Sequence, residues 1–354
     1  MSGPWWTGAC QAPSATHAAR AVARQQRLTK PPGALGRMET LAVELAALQA
    51  SDRPRAARVP VLLFAGDHGV VAQGVSAFPA QVTVQMLANF AAGGAAIAVL
   101  ARELGLPLHL RDVGTLAEGA VAGAVVDKPC RGTRDLSVEA AMSGAEVAHA
   151  LDAGRRAVDE AGEGADLMLL GEMGIGNTTA ASALACALAG LPVEGLVGAG
   201  TGLDDARIAL KQAVVERALA LHGVAITAAP QPALEALRRV GGLEIAALAG
   251  AMVAAAQRSV PVLVDGFIVS AAALAAVRLN PGVRDWLLFS HCSAERGHGR
   301  LLAALDATPL LQLDLRLGEG SGAALALPLL RLACALHNDM ATFAEAAVAG
   351  ATSE

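Results

Sequence analysis

The chain contains no tyrosine, and aromatic residues make up only 3% of it. Any proton transfer it performs therefore falls to a carboxylate, a histidine, a lysine or a cysteine. Cysteine is scarce as well: five residues, Cys10, Cys130, Cys186, Cys292 and Cys334, are widely spaced and form no Cys-x-x-Cys. That pattern argues against a disulfide framework and a zinc site, and fits buried free thiols in a reducing cytoplasm. Charged residues amount to 17%, with a net charge of −5 and no Lys/Arg run. Nucleic acid or an anionic membrane surface is therefore not expected as a partner. Apolar runs such as Ala246 to Ala256 are too short to span a bilayer and are broken by Gly250. The N-terminal residues MSGPWWTGACQAPSATH lack the basic start and apolar core of a secretory leader.

What is present is apolar: 54% of 354 residues are hydrophobic. Such a chain can bury a large core and has little polar surface to spare, which suits association into a homo-oligomer. Ala12 to Leu28 and Gly36 to Ala50 read as helices separated by the stiff turn Thr29-Lys30-Pro31-Pro32-Gly33, and Ser51 to Arg58 reads as a polar linker. Beyond it, strand-like runs fall at Val59 to Ala65, Leu108 to Val113, Val121 to Val126, Asp166 to Leu170, Gly195 to Val197, Val260 to Val264, Trp286 to Phe289 and Leu311 to Leu315. Helical patterns separate most of them. The alternation predicts an α/β fold, a parallel sheet covered by helices on both faces in Rossmann-like fashion. Residues 59–322 would form this α/β domain, and residues 1–58 a small helical arm joined by C-terminal helices from about residue 323 to 354.

In such a sheet, ligands sit at the carboxyl ends of the strands. The residues just past the strands are Gly66-Asp67-His68-Gly69, Gly171-Glu172-Met173-Gly174, Gly198-Ala199-Gly200-Thr201-Gly202, Asp265-Gly266-Phe267, Ser290-His291-Cys292-Ser293 and Gly318-Glu319-Gly320-Ser321-Gly322. Together they outline one polar crevice. The most informative stretch is DLMLLGEMGIGNTTAAS, Asp166 to Ser182, which reads as strand, glycine loop and helix. That layout aims backbone N–H groups and the positive end of a helix at an anion. It is neither a P-loop nor a complete GxGxxG, since Thr179 replaces the third glycine. The residues alone leave open both a phosphate cradle and a tight turn with no ligand.

In order and wording, several stretches resemble the nicotinate-nucleotide–dimethylbenzimidazole phosphoribosyltransferase family. They are LTKPPGALGRME, FAGDHGVVAQGVSAFPAQVTVQM, GEMGIGNTTAASAL, GAGTGLDD, VDGFIVSAAAL, FSHCSAERGH and LRLGEGSGAALALPLL, running from Leu28 to about Leu330. The resemblance implies transfer of the phosphoribosyl group of nicotinate mononucleotide to 5,6-dimethylbenzimidazole, with inversion at the anomeric carbon, in formation of the cobalamin nucleotide loop. It implies a homodimer in which the helical arm borders the neighbour's site. A pyridinium leaves without a proton, whereas the attacking benzimidazole must lose one, so a single general base is required. The resemblance assigns that base to Glu319. Glu172 would stabilise positive charge on the ribose, bind its hydroxyls, or orient the Gly174 loop.

By the same resemblance, phosphate falls to Gly174, Gly176, Asn177 and Thr178 with Lys211. Ribose and nicotinate fall to Thr201, Gly202, Asp265 and Ser293, and the benzimidazole pocket to Ser76, Phe78, Gln85, Met86 and Leu317. Ser290, His291 and His298 suggest a hydrolase at first sight, but no Gly-x-Ser-x-Gly precedes them. Asp67 and His68 are adjacent on a loop, a poor arrangement for one ion, and neither a metal nor a cofactor is expected. Two other classes compete, an NAD(P)-dependent oxidoreductase and a non-catalytic nucleotide-binding module. The first lacks GxGxxG after the first strand and an acidic residue about twenty positions beyond either glycine loop.

Overall fold

The structure, a computed structural model, describes residues 3–198 and 204–349. Two helices open the chain, α1 (Ala15–Gln25) and α2 (Arg37–Leu48), followed by strand β1 (Val61–Gly66). Next come α3 (Gln81–Ala91), α4 (Ala96–Leu104), β2 (Leu108–Gly114), β3 (Ala124–Val126), α5 (Gly144–Ala161) and β4 (Met168–Met173). The remainder is α6 (Asn177–Ala189), α7 (Asp205–Thr227), α8 (Pro232–Val240), α9 (Leu243–Gln257), β5 (Val262–Val264), α10 (Phe267–Leu279), β6 (Leu287–Phe289), α11 (His298–Ala304) and α12 (Ser321–Asp339).

The six strands form one sheet in the order β3-β2-β1-β4-β5-β6, and every pairing is parallel. This is the Rossmann strand order, whose direction of winding reverses between β1 and β4 and opens a crevice there. Every residue of β1 is buried, which requires cover on both faces because alternate side chains point opposite ways. Helix α9 is buried from Leu243 to Ala256, and it packs on β1, β2, β4 and β5 as well as on α5 and α10. Its alanine-rich sequence lets α5 come close enough for backbones to touch. A Cβ on Gly154 of α5 would strike the Ala247 carbonyl and the Ala251 amide, and one on Gly250 would strike the Leu151 carbonyl.

The N-terminal arm meets the C-terminal helix. Arg24 Nε donates to the His337 carbonyl at 2.6 Å and Arg24 Nη2 to that of Asn338 at 3.0 Å, satisfying acceptors at the end of α12. Leu41, Ala42 and Ala333 form a small core of their own. The polar segment Ser51 to Arg58 is held down by Asp166, whose carboxylate accepts from Arg55 Nε at 2.7 Å and the Arg58 amide at 2.9 Å. Gln81–Leu104 is apolar enough to suggest a membrane span, but it folds as two helices broken at Gly93, whose φ is +81°.

Two expected strands do not form. Residues 195–197 are a turn, with Gly195 at φ +74° and the Leu196 and Val197 amides both donating to the Val193 carbonyl. Leu311 makes a single parallel bridge to His291, and Asp314 at φ +54° interrupts any ladder beyond it. Gly171 and Glu172, expected in a loop, lie within β4. Asp166 in turn precedes that strand.

The α5–α9 crossing sets a stability test. Gly154→Ala is expected to destabilise the chain by about 1–3 kcal/mol through overpacking. Gly144→Ala, at a helix start where a Cβ meets nothing within 4 Å, is expected to be neutral or stabilising by up to about 1 kcal/mol. Urea unfolding midpoints compare the two; equal midpoints would contradict a close backbone approach.

Candidate active site

At the carboxyl ends of β4, β5 and β6 lies a cavity of ≈ 420 Å³. One wall is apolar, built from Phe78, Val82, Met86, Phe267, Ile268 and Leu317. Val82 and Met86 stand one turn apart on α3, so both face the same way. The polar part of the lining includes Glu172, Asn177, Thr178, Ser293, Glu295 and Glu319.

Glu319 follows from an unusual backbone. Gly318, Glu319 and Gly320 all have positive φ, +86°, +65° and +86°. A left-handed conformation is costly for a residue with a Cβ and persists only where its surroundings hold it. Asp265 holds it: its carboxylate accepts the Gly320 amide at 3.2 Å and the Ala323 amide at 2.8 Å. Gly320 has no side chain to cap α12, so Asp265 supplies that cap from the next strand end. A Cβ on Gly171 of β4 would collide with the Glu319 carbonyl, which lets the turn lie directly on the strand. Glu319 is 6% exposed, and its Oε2 accepts the Ile97 amide in the first turn of α4 at 3.4 Å. Burial raises its pKa, the Ile97 amide pulls it down, and the nearby charge of Asp265 raises it again. The result is a carboxylate more basic than usual on the wall of an apolar slot.

Glu172 lies deeper, accepting a hydrogen bond from Asn177 Nδ2. Burial, then the charges of Glu244 and Asp265, push its pKa up to about 8, against the Asn177 contact. It is therefore largely protonated at neutral pH. Lys211 of α7 is 1% exposed and donates to Thr178 Oγ1 at 2.7 Å. Burial lowers its pKa to about 8, opposed by Glu295, so much of its charge survives at neutral pH, next to the start of α6. The N-cap of that helix is Gly176, at φ +93° with no capping side chain. Amides around this turn are partly engaged already: Ile175 N–H donates to Thr83 Oγ1, and those of Asn177 and Thr179 donate to the Gly174 and Gly176 carbonyls. Asn177, Thr178 and Lys211 thus add side-chain donors to an anion site at a helix N-terminus.

Two histidines, His298 and His291, stand at the strand end that carries Ser293. His298 Nδ1 accepts the Ser293 amide at 2.7 Å, so its proton sits on Nε2, which donates to Ser270 Oγ at 3.0 Å. Burial pushes its pKa down to about 3. It fixes the strand end that carries Ser293. His291 lines the cavity, with Nδ1 2.9 Å from Ser290 Oγ and 3.9 Å from Asp265. Burial lowers its pKa while Asp265 raises it.

The chain resembles known proteins over nearly its whole length. The family model DBI_PRT, phosphoribosyltransferase, matches residues 10–348. A nicotinate-nucleotide–dimethylbenzimidazole phosphoribosyltransferase of Bradyrhizobium sp. (strain ORS 278) is 65% identical over 347 residues, 98% of each chain. A protein of that name from Pseudomonas aeruginosa (strain UCBPP-PA14) is 58% identical over 350 residues, 98% of this chain and 99% of its own. The crystal structure of the protein of that name from Thermus thermophilus superposes with a TM-score of 0.89 at 45% identity, covering 96% of this chain and 100% of that one. The chain belongs to this phosphoribosyltransferase family. The similar proteins named here are transferases, which favours group transfer over the oxidoreductase and non-catalytic alternatives.

For a phosphoribosyltransferase, the structure brings together Glu319, Glu172, Gly174, Asn177, Thr178, Ser293, Phe78, Met86 and Leu317 around one cavity. Gly176 caps α6 just behind it, and Lys211 reaches it through Thr178. Asp265 does not reach the cavity surface; it is 1% exposed, and its oxygens are taken by backbone amides. In this structure it lies beneath the site. Ser76 and Gln85 also stand off the wall. Ser76 Oγ is occupied with the Phe78 backbone in a turn before α3, and Gln85 lies on the exposed side of α3. Thr201 and Gly202 lie outside the described residues. Sequence reasoning missed Arg316, Phe267 and Glu295, all on the cavity wall. Arg316 directly precedes Leu317 in LRLGEGSG, and Phe267 follows Asp265-Gly266, so position next to an assigned residue was the available signal.

The raised pKa of Glu172 has a sign that can be measured. Its folded value of about 8 exceeds the ordinary 4.5, so the folded state holds the proton more tightly than the unfolded chain. Its contribution to stability is complete below the ordinary value and is lost as pH rises through about 8. Glu172→Gln cannot ionise and is expected to lose less stability than the wild type across that window. Chemical unfolding at a series of pH values checks this; parallel stability curves would contradict it.

Proposed function

We propose that the chain transfers the phosphoribosyl group of nicotinate mononucleotide to 5,6-dimethylbenzimidazole, giving α-ribazole 5′-phosphate and nicotinate. The observation that carries this reading is Glu319, a buried carboxylate of raised pKa on the polar part of the lining of a cavity that also has an apolar wall. The benzimidazole packs between that wall and the polar side, where an apolar slot with few polar groups suits a flat aromatic ring. Its unprotonated nitrogen attacks the anomeric carbon as the bond to the pyridinium nitrogen breaks. The bonding electrons pass to that nitrogen, so nicotinate leaves without a proton. Glu319 takes the proton from the second benzimidazole nitrogen. Attack opposite the leaving group converts β to α configuration.

Asn177, Thr178 and Lys211 at the start of α6 suit the nucleotide phosphate. Glu172 stands where a hydrogen-bonding carboxyl meets the ribose, and Ser293 and Arg316 border the remaining space. No step calls for a cofactor or a metal. Phe78 and Leu317, 48% and 60% exposed at the cavity rim, leave apolar surface that a second copy of the chain would cover, in keeping with a homodimer. The five free thiols suit a reducing cytoplasm. We assign residues 1–58 and the C-terminal helix to a small helical domain beside the α/β body.

The protein mixed with nicotinate mononucleotide and dimethylbenzimidazole, without metal or NAD, is expected to release nicotinate, followed by chromatography. Release should depend on the benzimidazole. Glu319→Gln is expected to lower turnover by roughly 10²–10⁴-fold. Unchanged turnover in that variant at saturating substrates would overturn the assignment of the base.

A further inference from the structure

The Gly66-Asp67-His68-Gly69 turn takes no part in the cavity wall, yet it lies directly under the anion site. A Cβ on Gly174 would run into the Gly66 carbonyl and crowd Glu244 and the His68 ring. His68 is buried there with Glu244, Nε2 to Oε1 at 2.6 Å. Beside this pair is Thr83, the third residue of α3, which is wholly buried. Its Oγ1 accepts the Ile175 N–H at 3.1 Å. The same hydroxyl helps keep the Asp67 carboxyl charged, against the burial that raises its pKa. Among the described residues, the Thr83 contact is the one side-chain hydrogen bond that reaches the backbone of the Gly174–Gly176 turn. On the same helix, the preceding residue Val82 and Met86 line the cavity.

We infer that Thr83 is a positioning residue that couples occupancy of the base slot to binding of the nucleotide. A flat ring seated against Val82 and Met86 fixes α3. Thr83 carries that position to Ile175, and so to Asn177 and Thr178 at the start of α6. The hydroxyl accepts from the Ile175 N–H, which no apolar side chain of the same shape can do. The link is a packed, hydrogen-bonded chain of three elements, short enough for a small shift in one to reach the next. This inference rests on the assignment of substrates given above.

The test compares wild type, Thr83→Val and Thr83→Ser in the nicotinate-release assay, with melting temperatures as a check on folding. In the wild type, KM for the nucleotide is expected to fall as the benzimidazole concentration rises. Thr83→Val should raise KM for the nucleotide about tenfold, the effect of one buried amide left unpaired. It should also remove the dependence on benzimidazole, with a smaller change in kcat. Thr83→Ser should stay within about twofold of wild type, because it keeps the hydroxyl. Wild-type KM and base dependence in Thr83→Val would overturn the inference. So would a Thr83→Ser variant as impaired as valine, since the methyl group would then be responsible. If valine prevents folding, Thr83→Ala tests the same contact with the same two outcomes. A wild-type chain that folds and releases no nicotinate would overturn the functional reading first, and this inference with it.

Discussion

The site depends on one buried carboxylate behind the cavity wall. Asp265, just past β5, accepts the amides of Gly320 and Ala323, and in doing so caps a helix that has no cap of its own. The turn before that helix runs through three consecutive positive-φ residues, a conformation that two glycines permit and that Glu319 adopts only under constraint. Without Asp265 the first turn of α12 would lose two hydrogen bonds in a buried setting, and Glu319 would lose the frame that directs it across β4. The closeness of that frame explains Gly171 and Gly318. A Cβ on Gly171 would strike the Glu319 carbonyl, and one on Gly318 would strike the Glu172 carboxyl.

The same crowding sets the electrostatics. Glu172 and Glu319 line the cavity over the buried Asp265, and Glu172 is driven up to about 8 by burial and by its acidic neighbours Glu244, Asp265 and Glu319. Glu244 is paired with His68, whose pKa the carboxylates raise although burial alone would lower it. A floor of this kind disfavours further negative charge and favours a cation above it. A nucleotide whose base is a pyridinium, and whose sugar becomes more positive as that base departs, meets this requirement. Its phosphate needs the opposite sign, which Lys211 and the start of α6 supply through Thr178.

Much of this was legible in the sequence for a physical reason. Strands buried on both faces are written as continuous apolar runs, so β1, β4 and β5 stood out, and the residues that follow them had to sit at the open edge of the sheet. Glu319 was legible through the family resemblance, since a carboxylate at a helix start has an ordinary structural use at the positive end of the dipole. The two misread strands share a cause: Gly195–Val197 and Leu311–Leu315 are apolar enough, but positive-φ positions at Gly195 and Asp314 turn the chain away from a ladder. The role of Asp265 was not legible, since it depends on Gly320 and Ala323 lying far along the chain and close in space. Ser76 and Gln85 stand beside Phe78 and Met86 in sequence without lining the cavity, because nearness along the chain does not fix which side of a turn or helix faces it.

The account is tested most directly by the acidic limb of the pH profile of kcat/KM for the benzimidazole. That limb reports ionisation of the base in the free enzyme. It should lie above the ordinary carboxylate range, because burial and Asp265 raise Glu319. In Asp265→Asn it should move to lower pH as the neighbouring charge is removed, while the maximal rate falls with the loosened turn. A limb in the ordinary carboxylate range, unmoved in Asp265→Asn, would contradict the claim that this buried pair makes the base.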